Sequence, residues 1–308
     1  MTGNVEVVVK PLGPLHLGMR SLGPAEEFSV DRATELPLPS TVLGALGNSA
    51  QISISVDCDT LRRQYDFSDL RILAQQLFGL DFDPAAGWSE EPLLWGPLLR
   101  SGNDLYIPLG RYAARPGELP RLLSGKAVLT PYAQASAKTG VRLGYAKTAE
   151  AMFKAAYVAY TWRGLEIVYY AKNLRIQAQR LMARVGGEGR LALISINVRQ
   201  DLPQHGGRYA VALQPVLIYG EEPVEDISRV RGLECVDEVV GVYDGEKFKP
   251  LVVDVGLGFS EVCKFRRPLL KALPRGTVLK LKNWCKARAV GLLSQLGYGS
   301  IYRFGEEE

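Results

Sequence analysis

Leu36-Pro37-Leu38-Pro39-Ser40-Thr41-Val42-Leu43-Gly44-Ala45-Leu46-Gly47-Asn48 decides how the chain is read, as an extended arm that turns abruptly into a helix. A proline ring disfavours the α region for the residue before it, so Leu36 and Leu38 are extended. Ser40 and Thr41 stand where a hydroxyl can cap the orphan N–H groups of the first helical turn. Val42, Ala45 and Leu46 fall on one helical face, while Gly44 and Gly47 leave the opposite face bare for the close approach of another backbone. A helix start with two hydroxyls and no carboxylate in its first turn also suits a phosphate.

Working outward, 308 residues can bury a large core and favour two domains over one. No run approaches the roughly 20 apolar residues that span a bilayer, and the N-terminus lacks the basic-then-apolar layout of a secretory signal. The expected location is the cytoplasm, away from membranes. Cys58, Cys235, Cys263 and Cys285 are scattered without CxxC spacing, which predicts buried free thiols rather than a zinc site or a disulfide framework. A hyperthermophile source would allow a disulfide inside the cell.

The formal net charge is +4 and the pI near 8.8, too mild by themselves to announce a nucleic-acid partner. The distribution says more. Lys280, Lys282, Lys286 and Arg288 form a cluster with no acid among them, preceded by Lys264, Arg266, Arg267, Lys271 and Arg275. The acids gather instead at Glu221, Glu222, Glu225 and Asp226 and at Glu306 to Glu308. A nearly neutral total can therefore hide a basic groove that tracks an RNA backbone.

In chain order, residues 4–10 read as a short buried strand, and residues 12–28 as a loop holding His16 and Arg20. After the helix opened at Ser40, residues 60–79 are partly helical. Residues 81–121, rich in Pro, Gly and Trp, read as an irregular insertion or a partner surface. Residues 138–147 are basic and exposed. Residues 148–162 and 165–170 form a hairpin, and Leu174, Ala178, Leu181, Met182 and Val185 predict a helix closed by Gly186-Gly187. With a strand at 191–198, the order is that of the β-α-β-β-α-β ferredoxin-like plan. Residues 203–207 read as a linker. Strands at 209–219, 239–243, 250–254, 277–281 and 301–304, with helices at 224–230 and 285–296, repeat roughly the same order. The expected fold is α+β, with two tandem ferredoxin-like (RRM-like) domains at 1–203 and 204–308. The first domain carries the irregular insertion and a protruding hairpin.

Two stretches stand out for RNA. Gly297-Tyr298-Gly299 follows the basic segment that holds Lys282, Lys286 and Arg288; bare glycines admit phosphates to main-chain N–H groups and Tyr298 offers a stacking face. Lys138, Arg142 and Lys147 mark the hairpin, which can wedge between nucleotides and neutralise adjacent phosphates. The RNA-binding set is His16, Arg20, Ser40, Thr41, Lys138, Arg142, Lys147, Lys282, Lys286, Arg288, Gly297, Tyr298 and Gly299. His16 and His205 are the only histidines, and a lone loop histidine is more often a contact than a catalyst. No acids are spaced for two metal ions, so no catalytic residue, metal or cofactor is expected.

Pro11-Leu12-Gly13-Pro14-Leu15-His16-Leu17-Gly18 after an apolar strand, Leu36 to Gly47, residues 138–157, Val185 to Arg190, Leu273-Pro274-Arg275-Gly276-Thr277 and the Gly297-Tyr298-Gly299 finish occur here in one order. That set resembles the RAMP superfamily of CRISPR-associated RNA-binding proteins, and within it the third subunit of the type III-B (Cmr) effector complex. The resemblance implies a non-catalytic subunit of antiviral defence that grips the repeat-derived 5′ tag of the crRNA. It further implies docking on the large polymerase-like subunit and on the backbone RAMP subunits. One departure is Gly144-Tyr145-Ala146, where family members more often carry an acid. The alternatives are a stand-alone RAMP endoribonuclease with His16 as general base, and a scaffold whose basic face meets only acidic protein.

Overall fold

The β-branched run that opens the chain becomes β1 (Asn4–Pro11), an interior strand of an eight-stranded sheet. The computed structural model describes residues 3–18, 33–143, 149–176, 179–187, 189–198, 202–203, 205–219 and 230–305, with backbone alone over 139–143 and 149–154. Three helices follow β1: α1 (Pro39–Ser49), α2 (Cys58–Arg63) and α3 (Ser68–Phe78). Next come β2 (Trp88–Ser89), β3 (Leu94–Ser101), β4 (Asp104–Leu109), β5 (Tyr112–Ala114), the short α4 (Leu119–Leu122) and β6 (Thr130–Pro131). β7 (Ala133–Leu143) and β8 (Ala149–Tyr160) form a long hairpin of their own. β9 (Glu166–Lys172), β10 (Arg180–Arg184) and β11 (Leu191–Val198) complete the large sheet, whose order is β10-β11-β1-β9-β3-β4-β5-β6 with antiparallel neighbours.

Alternation along a strand sends successive side chains to opposite faces, and here both faces are covered. Val5, Val7 and Val9 of β1, with Ile167, Tyr169 and Ala171 of β9, share one core with Leu43 and Leu46 of α1 and Leu70 and Leu77 of α3. Val168 and Tyr170, the intervening residues of β9, join Trp95 and, from the later part of the chain, Val211, Val278, Tyr302 and Phe304. A strand buried on both faces has to be apolar throughout, which is why Ile167 to Ala171 reads as an unbroken run.

The rest of the chain supplies β12 (Tyr209–Ala212), β13 (Val216–Leu217), β14 (Val236–Tyr243), β15 (Phe248–Lys249), β16 (Val253–Gly256), β17 (Phe259–Ser260), β18 (Phe265–Arg266), β19 (Leu269–Leu273), β20 (Thr277–Leu281), β21 (Ala289–Val290) and β22 (Ile301–Phe304). β15-β14-β20-β12-β22 form a five-stranded sheet, and β13-β19-β16 a smaller one. The architecture is α+β, mostly sheet with few helices.

Several expectations need correction. Residues 81–121 are not an irregular insertion, because β3, β4 and β5 belong to the large sheet and Trp95 is fully buried. The strand at 149–160 pairs with the preceding β7, while β9 leaves to pair with β1 and β3. The helix expected at 174–185 is instead the edge strand β10. There Leu181 and Ala183 turn inward while Arg180, Met182 and Arg184 face out, a period of two that the apolar spacing conceals. No helix spans 285–296 either. Leu293 takes a left-handed φ of 57°, and the N–H groups of Val290, Gly291, Leu292 and Leu293 bond to Gly299, Gly87, Leu217 and Pro84. Residues 203–207 are no loose linker, since the His205 ring stacks on Trp95 with centroids 5.2 Å apart. Burial and the nearby Arg288 and Arg303 hold His205 down to about 3, so the ring stays neutral. Residues 224–229, of the helix expected at 224–230, lie outside the described residues, as do Glu221, Glu222, Glu225, Asp226 and Glu306 to Glu308.

The cysteines depart furthest from expectation. Cys58 pairs with Cys263 and Cys235 with Cys285, leaving no free thiol. The first bridge joins residues 205 positions apart and ties α2 to the β17–β18 hairpin, where Arg62 also donates to Cys263 O and lies over the Phe265 ring.

Candidate nucleic-acid interface

The proline arm is fastened rather than capped. Pro39 occupies the first helical turn, Leu38 is the residue before the helix, and no side chain caps it. Prolines cannot donate to a ladder, so the arm's carbonyls need other partners. Tyr160 donates to Glu35 O (2.8 Å), while Tyr169 (2.7 Å) and Gln214 (3.0 Å) both donate to Pro37 O. Burial holds both phenols well above the ordinary tyrosine range, which keeps them as O–H donors. Arg275, 5% exposed, reaches Thr34 Oγ1 (2.9 Å), Leu36 O (3.5 Å), Leu213 O (2.6 Å) and Gln214 Oε1 (2.8 Å). The arm is thus bolted to the C-terminal half of the chain.

Ser40 and Tyr298 meet, but inside the molecule. Ser40 Oγ donates to Leu257 O (2.8 Å), so the Tyr298 hydroxyl donates to Ser40 Oγ (2.8 Å). Beside them the buried Arg267–Asp69 pair closes at 2.8 Å, and Tyr65 donates to Asp69 at 3.0 Å. Tyr298 is fully buried, and burial pushes its phenol up to about 12. The ring therefore presents no stacking face. Gly297 and Gly299 are bare for a different reason than RNA: a Cβ at either would collide with a main-chain carbonyl, Leu94 O or Val290 O. In α1, Gly44 has open space around it, whereas a Cβ on Gly47 would sit 2.6 Å from Leu73 of α3. Thr41 is half-buried and its N–H bonds to Leu38 O.

The C-terminal basic stretch is also largely committed. Lys282 donates to Glu234 O (2.7 Å), and Arg288 lies over Trp95 with Nη1 3.0 Å from His205 Nε2. Lys286 is exposed. The exposed rings of Trp88 and of Trp284, which closely precedes Lys286 in sequence, meet edge to face at 6.0 Å.

A second cluster sits at the base of the β7–β8 hairpin, where Lys138 is exposed and Arg190 half-buried over the buried His16 and Tyr157. Leu15 and Val158 exchange both main-chain hydrogen bonds, which straps the His16 loop onto β8. His16 Nδ1 then lies 2.7 Å from Ala156 O, and its ring 5.4 Å from Tyr157. Arg190 lies over the Tyr157 ring at 4.6 Å and Lys138 Nζ at 5.4 Å, so one aromatic ring holds two cations. Neither cation forms an ion pair with a described residue. The turn after β10 packs on the same loop: Gly187 donates its N–H to His16 O (2.8 Å), and a Cβ on Gly187 would come 2.6 Å from His16 Cδ2.

Of the expected RNA residues, His16 and Lys138 therefore converge. Arg142 pairs with Ala151 in the hairpin backbone, its side chain not being described, and Arg20 and Lys147 lie outside the described residues. Tyr157 and Arg190 were not anticipated. Gly186-Gly187 and Gly189-Arg190 carried the signal, since glycines before an arginine mark an exposed turn as readily as a helix stop.

No family model matches the sequence, and a search of curated proteins finds no match. Solved structures do match. Over 97% of this chain and 96% of the other, with TM-score 0.64 and 17% identity, the structure is similar to a chain of the type III-B Cmr-beta complex bound to cognate target RNA, solved by cryo-EM. The two chains share one fold. A second chain, from type III-B Cmr-beta bound to cognate target RNA and AMPPnP (state 1), matches with TM-score 0.60 and 19% identity over 89% of this chain and 86% of that one. Among the described residues no helix is long and apolar enough to cross a membrane, and no group of three or more His, Cys, Asp or Glu could hold a metal ion.

Proposed function

We propose that this chain is a non-catalytic crRNA-binding subunit of a type III-B CRISPR effector, working in the cytoplasm in antiviral defence. In this reading the strand orders β11-β1-β9-β3 and β22-β12-β20-β14 are the sheets of two ferredoxin-like halves, one before and one after residue 203. The RNA is the guide, held by its repeat-derived 5′ tag, and the neighbours are the large polymerase-like subunit and the backbone RAMP subunits. The observation that carries the proposal is the convergence of His16, Lys138, Tyr157 and Arg190 at the hairpin base. Two cations that form no ion pair with a described residue, gathered on one ring, suit consecutive phosphates, on a fold shared with RNA-bound assemblies.

Lys138→Glu with Arg190→Glu is expected to weaken binding of tagged guide RNA by about 10- to 100-fold near 0.1 M salt. The salt dependence should flatten by about 1.4 in slope, two contacts at about 0.7 each for a single strand. Filter binding at two salt concentrations checks this, and unchanged affinity at both would remove the cluster from the interface. His16 Nε2 carries no hydrogen bond from a described residue, which favours one second reading, a metal-independent endoribonuclease. Repeat RNA left intact without metal by both the natural chain and His16→Ala supports the binder; cleavage lost in His16→Ala supports the nuclease.

A further inference from the structure

His16 has two ring nitrogens with different surroundings. Nδ1 faces a carbonyl, Ala156 O, at 2.7 Å, and a carbonyl only accepts, so Nδ1 carries the proton. In the neutral ring that leaves Nε2 as an acceptor, and it takes no hydrogen bond among the described residues. His16 is 8% exposed, and the ring's Cδ2–Nε2 edge lies against exposed Gly187, where a Cβ would stand 2.6 Å from Cδ2 and 3.4 Å from Nε2 and close the approach to that edge.

We propose that His16 Nε2 accepts a hydrogen bond from a ribose 2′-hydroxyl and so makes this site prefer RNA to DNA. The inference rests on the RNA-binding reading given above and names what one of its residues recognises. Phosphate oxygens are acceptors and find no complement in an acceptor nitrogen; Arg190 and Lys138, gathered on the ring of Tyr157 beside His16, take that role. The 2′-hydroxyl hangs on the sugar that bears the phosphate, within reach once the phosphate is seated. It is also the donor that DNA lacks. A base edge lies farther from the backbone and would make the contact depend on sequence.

The test uses the full chain and short single strands: RNA, the same sequence as DNA, and RNAs carrying one 2′-deoxy sugar at each position in turn. RNA should bind at least about fivefold tighter than DNA, the worth of about one hydrogen bond, and one position of the deoxy scan should account for most of the difference. His16→Asn keeps an amide N–H for Ala156 O and removes the second nitrogen. It should lower RNA affinity by more than DNA affinity, so that the preference for RNA is lost. Equal binding of RNA and DNA by the natural chain overturns the 2′-hydroxyl contact and leaves RNA binding standing. So does a His16→Asn chain that weakens both strands alike, or a preference that follows base identity and ignores the sugar. A chain that binds neither strand overturns the binding proposal and this one with it.

Discussion

Arg275→Met will lower the free energy of unfolding by about 3 to 5 kcal/mol, as read from urea melts. Arg275 is buried and makes hydrogen bonds to Leu213 O, Gln214 Oε1, Thr34 Oγ1 and Leu36 O. Removing the guanidinium strands those acceptors, at about 1–3 kcal/mol each, while relief from burying a charge offsets part of the loss. Methionine fills much of the volume, so the measurement reads the lost hydrogen bonds more than a cavity. Arg275→Lys should rescue little. One ammonium cannot stand in for Nε and both Nη groups, which here point at partners on two separate segments. A loss below about 1 kcal/mol would mean that the proline arm is held by its apolar contacts alone.

The second large effect concerns Cys58–Cys263. Its closed loop spans a sequence separation of 205 residues, for which chain entropy gives a stabilisation of about 5 kcal/mol. Cys58→Ser with Cys263→Ser should lower the melting temperature by about 10 °C without reductant, taking about 2 °C per kcal/mol for a chain of this size. Added dithiol should bring the natural chain down to the same level, because Cys58 is half-exposed and the bridge can be attacked. Cys235–Cys285 is fully buried and should resist reduction until the chain opens. A natural chain that titrates four thiols before and after gentle unfolding would contradict both bridges.

What could be read in advance follows physical lines. β1, α1, β11, β20 and β22 have local patterns strong enough to name within about two residues, because apolar alternation, prolines and glycine turns act there without long-range help. The two helices expected at 174–185 and 285–296 failed differently. In the first, an edge strand's inward apolar residues coincide with helical spacing. In the second, the main-chain groups of 290–293 are claimed by Gly299, Gly87, Leu217 and Pro84 from distant parts of the chain, which no local pattern reports. The cysteine pairing is likewise invisible in spacing, since it depends on α2 meeting a hairpin 205 residues on.

The site shows the same division. Gly297-Tyr298-Gly299 was recognisable as a special backbone, yet sequence could not tell a turn opened for phosphate from one pressed against Leu94 O and Val290 O. His16 and Lys138 were legible as loop and hairpin residues, although His16 is buried at the base of the hairpin. Their partners Tyr157 and Arg190 were not, because Tyr157 looks like a core residue of β8 and Arg190 like the tail of a glycine stop. The strapping of Leu15 to Val158, the β7–β8 pairing and the Gly187 bond to His16 O together bring the four into one place.

The central claim is that guide RNA lies at the hairpin base. The measurement that addresses it most directly is ultraviolet crosslinking of tagged guide RNA to the full chain, with the attached peptides identified by mass spectrometry. Crosslinks should fall on the peptides bearing exposed Lys138 and half-buried Arg190, and none on the peptide bearing Tyr298. Crosslinks confined to Trp88, Trp284 and Lys286 would place the RNA elsewhere and contradict the account.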